Sequence, residues 1–329
     1  MSIPASAYTI EHLEPGTEHL DPGADAGPLK LETIPLGEFV RLDLPIRKQI
    51  ITPILPERGL AMLFAARGVG KTQVAFGLAY AVSSGGEFLR WRASKPRRVL
   101  YIDGEMPQET LQARVKTLMV ATSHRPPQDD YFRLLSMDRQ PLGVSINLAE
   151  PAHQAAIEAQ LDGTELLVID NLSTLVNGGP ENDAASWDAM QAWLLKLRRQ
   201  GISVLLVHHA GRGDNARGTS KREDVLDTVI QLKRPDDYDP EEGARFEVHL
   251  TKARGIFGED VLPFEAKLSV VNGQDEWECT PLSDLRIEHV AELSQEGCSV
   301  RDIAERTGIP RSTVSRIQAK LRAEGRLQK

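Results

Sequence analysis

LAMLFAARGVGKTQVAFGLAYA, residues 60–81, decides how the rest of the chain reads. Leu60–Ala65 is an unbroken apolar run of strand length. ARGVGKT follows as a glycine-containing turn, and the spacing of Val74, Leu78 and Ala81 then predicts a helix. Strand, glycine turn, Lys-Thr and helix together make a phosphate-binding loop. Backbone N–H groups of the turn point at one spot, and the positive end of the helix dipole favours an anion there. Gly68 and Gly70 allow the close backbone approach, Lys71 brings a point charge to the terminal phosphates, and the Thr72 hydroxyl suits Mg²⁺. The expected ligand is ATP, held by Ala66, Arg67, Gly68, Val69, Gly70, Lys71, Thr72 and Gln73. Ala65 stands where the GxxxxGK[ST] pattern has its first glycine. The competing reading is a chance GKT between a strand and a helix, so the partner motifs downstream carry weight.

The chain has 329 residues, more than one compact core usually holds, with 41% hydrophobic and 26% charged residues, as soluble domains have. No apolar run approaches the ~18 residues of a membrane span, and the amino terminus lacks a basic start followed by an apolar stretch. Cys279 and Cys298 have neither zinc spacing nor disulfide density, so ordinary packing and a cytoplasmic location are expected. The net charge of −8 is unevenly spread. Residues 1–37 hold six acids against Lys30, whereas residues 306–329 hold seven bases against Glu324. The two ends are expected to do different jobs.

Residues 1–40 are rich in Pro, Gly and acids and read as an acidic tail, mostly disordered or loosely attached. From 41 to 281, apolar strands alternate with helical segments. RVLYID leads to Glu105, and PQETLQARVKTLMVA is a helix. YFRLLSM is a strand and PAHQAAIEAQL a helix. ELLVID ends in Asp170, residues 183–200 are an amphipathic helix, and ISVLLVHHA is a strand. This alternation predicts an α/β fold with a doubly wound, mostly parallel sheet and ligands beyond the carboxyl ends of the strands, where Lys71, Glu105, Asp170 and His209 all fall. VLDTVIQLKR, RFEVHLTKAR and FEAKLSVV are expected to extend the sheet antiparallel. From 282 to 329, three short helical segments separated by Gly-containing turns predict a small all-α domain with a helix-turn-helix.

Asp170 closes an apolar strand about 100 residues after Lys71, as an acid that holds Mg²⁺ or its water should. Glu105 suits a general base for attack on the terminal phosphate, with Asp103 as a competitor and a solvated turn acid as the plain alternative. His208 and His209 end the next strand, where one could respond to the terminal phosphate. Loop residues Arg212, Arg217, Lys221 and Arg222 suit nucleic-acid phosphates, or a merely solvated loop. Lys252 and Arg254, two apart near a strand end, face the same way and suit an arginine finger supplied in trans, or a basic edge. Arg311, Ser312, Thr313, Ser315 and Arg316 would face a DNA groove if the helix-turn-helix binds DNA rather than protein.

With these residues assembled, the stretch from about Ile51 to Val271 resembles a RecA-type ATPase of the AAA family, in the branch of plasmid RepA replicative helicases and DnaB-like and KaiC-like proteins. AARGVGKT, YIDGEM, LLVIDNLS, LLVHHA, RGTSKREDVLDTVIQL and TKARG carry the resemblance. It implies Glu105 as catalytic glutamate, Asp170 as the second nucleotide motif and His209 as the phosphate-sensing residue. It also implies that Lys252 and Arg254 reach a neighbour's nucleotide in a ring, often a hexamer, with single-stranded DNA on the loop. The expected function is an ATP-hydrolysing DNA motor, a RepA-like replicative helicase. The alternatives are an ATP-controlled helix-turn-helix regulator of DNA without unwinding activity and, third, a recombinase-like or clock-type ATPase.

Overall fold

The computed structural model describes residues 31–176, 184–210 and 223–327. The chain divides into two units, Met1–Ile46 and Arg47–Lys329. The described part of the first contains one short helix, α1 (Leu36–Phe39), with Leu36 and Phe39 exposed.

The second unit opens with a small hairpin, β1 (Gln49–Ile51) and β2 (Leu55–Pro56). Then come β3 (Leu60–Ala65), buried at every position, and α2 (Lys71–Ser84), buried along almost its whole length. A second small hairpin, β4 (Glu87–Phe88) and β5 (Trp91–Arg92), precedes β6 (Val99–Asp103) and α3 (Gln108–Ala121). After β7 (Phe132–Ser136) and α4 (Pro151–Glu158) the chain forms β8 (Leu166–Asp170), α5 (Leu172–Leu175), α6 (Ala184–Arg199) and β9 (Ser203–His209). β10 (Thr228–Lys233), β11 (Arg245–Ala253), β12 (Phe264–Val271) and β13 (Gln274–Pro281) complete the strands.

Nine strands make one sheet in the order β13-β12-β11-β10-β3-β9-β8-β6-β7. The six from β10 to β7 are parallel, and β11, β12 and β13 continue antiparallel. Alternate residues of the central strands feed two cores. One lies under α2 and α3, with Leu63, Phe76, Tyr101 and Phe246. The other lies under α4, α5 and α6, with Met62, Leu167, Met190 and Leu206. This is the expected doubly wound, mostly parallel sheet.

The expectation that all three later strands run antiparallel is corrected at β10, which pairs parallel to β3. β9 ends at the carboxyl edge. The chain re-enters the sheet at the opposite edge, where the Asp227 amide donates to the Leu60 carbonyl at 2.7 Å. β13 was not expected, because QDEWECTP is too polar to read as a strand. It forms because Asp275, Trp277 and Cys279 turn to the half-covered side of a hairpin that β12 pairs along its length.

Asp227 locks the start of β3. Its carboxylate accepts from the Leu60 amide at 3.0 Å and pairs with Arg47 at 3.1 Å. Burial works against the charge, but Arg47 and the Leu60 amide outweigh it and hold the carboxyl below its ordinary value. The stabilising contribution is therefore present above the unfolded carboxyl's pKa of about 3.9. It is lost as the pH falls through the lower folded value. Asp227→Asn is expected to lower stability by about 1–3 kcal/mol in urea titrations at pH 7, towards the lower end because Arg47 is partly exposed. It should also flatten the loss of stability below pH 4.

The carboxyl-terminal helices are α7 (Leu282–Gln295), α8 (Val300–Thr307) and α9 (Arg311–Ala323). They share a separate core of Val290, Leu293, Ile303, Val314, Ile317 and Leu321. Ser299 and Asp302 exchange backbone and side-chain hydrogen bonds as a capping box at the start of α8. There is no linker before this module: β13 ends at Pro281 and α7 begins at Leu282, which is buried and donates its amide to the Pro263 carbonyl. Among the described residues no helix is long and apolar enough to cross a membrane.

Candidate functional site: a nucleotide pocket at the carboxyl edge of the sheet

Ala65, Asp103, Asp170 and His209 end β3, β6, β8 and β9 at the same edge. Register brings them side by side, with Asp103 opposite Asp170 and Ala65 opposite His209. The turn from β3 into α2 closes a cavity of about 480 Å³, lined among others by Lys71, Thr72, Glu105, Asp170, His209 and Arg114. Lys71, Thr72, Gln73, Asp103, Glu105, Asp170 and His209, all singled out in the sequence, thus line one space.

The loop geometry explains which glycine is required. Gly70 has φ +119° and caps α2, and a Cβ there would stand 3.3 Å from the Phe246 ring. Ala65, by contrast, is an ordinary strand residue paired to Leu232 and His209, so the missing glycine of the pattern leaves the turn unchanged. Val69 of the expected set packs into the core beneath the loop, while Ala66, Arg67 and Gly68 are exposed above it. Thr72 and Gln73 open α2 and line the cavity.

Lys71 folds back over the loop, donating to the carbonyls of Ala65 at 3.0 Å and Ala66 at 2.7 Å. Burial brings its pKa down to about 8 and the Arg67 charge adds to this, while Asp170 and Glu105 pull upward. Burial likewise pushes Asp170 up to about 6, with Asp103 and Glu105 adding like charge and hydrogen bonds from Tyr101 and Thr72 opposing. The Tyr101 hydroxyl donates to Asp170 at 2.7 Å, and burial first and Asp170 second keep that phenol protonated. Asp103 accepts from the amides of Glu105 and Met106 at 2.9 and 2.6 Å, so it builds the turn that presents Glu105.

Glu105 is half-exposed at the cavity mouth. Its Oε2 accepts from Asn171 Nδ2 at 2.6 Å and lies 3.7 Å from His209 Nε2. Burial, with the Lys71 and Arg67 charges, keeps the His209 pKa low, partly offset by Glu105. Strand alternation separates the two histidines. His209 pairs with Ala65 and enters the cavity, whereas His208 pairs with Phe64 and is buried towards the core under α6.

Tyr101 and Asn171 were missed by sequence reasoning. Tyr101 stands two before Asp103 in the strand and Asn171 directly follows Asp170, but neither type signals its role without the register. Arg234 was also missed. It donates to the Gly68 carbonyl at 3.0 Å and lies over the Tyr238 ring, 4.5 Å from its centroid, at the cavity's outer wall.

Lys252 and Arg254 are not in this cavity. Lys252 is level with Val229 and hence Met62, and Arg254 donates its amide to Asp227, level with the start of β3. That places Arg254 at the amino edge of the sheet, roughly 16 Å along the strands from the phosphate turn, and Lys252 roughly 10 Å from it, at about 3.3 Å per strand residue. Both side chains reach backward to the carbonyl of Asp224, and Lys252 also bonds that of Glu223. Arg212, Arg217, Lys221 and Arg222 lie outside the described residues. In α9, Arg311, Ser312, Ser315 and Arg316 are exposed on one side, Thr313 is half-buried, and Val314 and Ile317 face the core.

Residues 26–215, more than half of the chain, match an AAA domain, and residues 287–329 match an IclR helix-turn-helix domain. No curated protein matches the chain. A solved KaiC-like protein of Pyrococcus horikoshii is similar over 68% of this chain and 90% of its own, at 14% identity and a TM-score of 0.46. With a phosphate turn, strand-terminal acids and a carboxyl-terminal helical module in the places described, the chain belongs to the AAA-domain family, as a P-loop ATPase that carries a helix-turn-helix.

Proposed function

We propose that this ATPase is a DNA motor assembled from several copies, a ring helicase of the replicative type. The observation that supports it is the division of the machinery between two edges of one sheet. Lys71, Thr72, Asp170, Glu105 and His209 line the cavity, whereas the cationic pair Lys252 and Arg254 sits at the opposite edge, unable to serve the same nucleotide. A second copy stacked edge to edge would bring its pair to the first copy's phosphates, and repetition of that head-to-tail contact closes a ring, six copies being the expected number.

Within one site, Lys71 and the turn amides hold the terminal phosphates. Glu105, held by Asn171 and beside His209, takes the proton from the attacking water. His209, beside Glu105, is the last residue of β9, after which comes the loop expected to hold single-stranded DNA. The residues fit Mg²⁺. Asp170 is a buried acid crowded by Asp103 and Glu105, and Thr72 donates to it. When bound, Mg²⁺ would neutralise charge that develops on the phosphates.

The test is unwinding of a forked duplex by the full chain with ATP. Strand displacement and stimulation of ATP hydrolysis by single-stranded DNA are expected, and both should vanish in Lys71→Ala. A regulator reading is favoured by one observation, the helix-turn-helix fused without a linker to the sheet. It predicts intact forks together with specific duplex binding that Arg316→Ala weakens, with a salt slope lower by about one.

A further inference from the structure

More than half of the Glu105 side chain is exposed at the cavity mouth. A carboxylate so placed keeps one orientation only if something rigid holds it. Asn171 is 2% exposed, and its side chain is fixed at both ends. Its Oδ1 accepts from the Ser173 amide at 2.9 Å and so caps α5. Its backbone carbonyl accepts from the Thr174 hydroxyl at 3.0 Å. With the oxygen committed to the cap, the amide nitrogen is aimed away from α5, and it donates to Glu105 Oε2 at 2.6 Å.

The turn that carries Glu105 sits on the same helix. The Gly104 amide donates to the Asp170 carbonyl at 2.8 Å. A Cβ on Gly104 would stand 2.7 Å from both Leu175 Cγ and Thr174 Oγ1. The missing side chain is therefore what lets the turn lie against α5. Leu172 and Leu175 in turn anchor α5 in the core beneath it.

We propose that Asn171 is a positioning residue for ATP hydrolysis, tying the Glu105 carboxylate to α5 so that the core sets where the base stands. The inference rests on the reading of Glu105 as general base. Asn171 and His209 both approach Oε2, which leaves Oε1 to take the proton of the attacking water while the water oxygen bonds the terminal phosphorus and ADP departs. An amide suits this task because it donates a hydrogen bond without bringing a charge, so it orients the carboxylate without neutralising it. Gly104 serves the same end by letting the turn reach the helix.

Asn171→Ser keeps an oxygen for the Ser173 amide, since Asn and Ser cap alike, but it is too short to reach Glu105. Its kcat is expected to fall about 10–10²-fold, the cost of a misplaced catalytic group, with KM for ATP within about twofold of native. Asn171→Ala should lose the same factor and, without the cap, also unfold at a lower urea concentration. Gly104→Ala should slow hydrolysis by a similar factor, by pushing the turn off α5. The decisive measurement repeats Asn171→Ser and Gly104→Ala in a Glu105→Ala background, by single-turnover hydrolysis. There each should cost less than about twofold further, because no side chain remains to be positioned. The same loss in both backgrounds, or native kcat in Asn171→Ser, would overturn the role of Asn171. Native hydrolysis by Glu105→Ala alone would overturn the reading of Glu105 as base, and this inference with it.

Discussion

Glu105→Gln is expected to bind ATP within about twofold of the native chain and to hydrolyse it about 10²–10⁴-fold more slowly, the range lost with a general base. The amide keeps the size of the side chain and its contact with Asn171, 2.6 Å away, so positioning survives. What disappears is the ability to accept a proton. The nearest alternative acid, Asp103, is committed to the amides of Glu105 and Met106, and Asp170 is buried beneath Tyr101 and Thr72. Neither is placed to take over. Equilibrium binding and single-turnover hydrolysis, measured on one preparation, separate the two effects. Unchanged hydrolysis would remove Glu105 from the chemistry and leave it as a solvated turn acid.

The second large effect concerns Lys252 and Arg254. Replacing both with Ala should reduce hydrolysis by about 10³–10⁵-fold if they stabilise transition-state charge as an arginine finger does. The decisive measurement is a mixture. Lys71→Ala lacks the phosphate grip but keeps the pair, and Lys252→Ala has the reverse defect. Each alone is expected to be inactive. Mixed in equal amounts, about a quarter of head-to-tail contacts would join an intact cavity to an intact pair, and activity should reappear in that proportion. A mixture as inactive as its components would place the pair outside the reaction, leaving it to anchor residues 223–224 through their carbonyls.

Much of this candidate site was legible in the sequence alone. An unbroken apolar run closed by Asp170, or by His208 and His209, announces a buried parallel strand whose end faces ligand. The glycine turn ahead of Lys71 announces the phosphate. What could not be read is what register decides. Only the pairing of Ala65 with His209 shows which of two adjacent histidines enters the cavity. Only the alignment of β6 with β8 places Tyr101 against Asp170. The polar strand β13 was invisible because a hairpin with one half-covered face needs few apolar residues. The direction of β10 depended on where the chain crosses, which local pattern does not encode. Arg234 and Tyr238 come to the outer wall only because the hairpin beyond β10 folds over the phosphate turn.

The direct passage from β13 into α7 has a consequence for avidity. A module on a flexible tether can adjust to whatever separation two DNA half-sites offer, and its effective concentration falls off gently with distance. Here the amide of Leu282 is tied to Pro263 and its side chain is buried, so the recognition helix has no such slack. If copies assemble as proposed, the separation between neighbouring helix-turn-helix modules is a property of the protein alone. Duplex sites whose half-sites match that separation, near a multiple of about 34–36 Å, can be held by two modules at once. All others can be held by only one, so spacing becomes a selective feature in its own right.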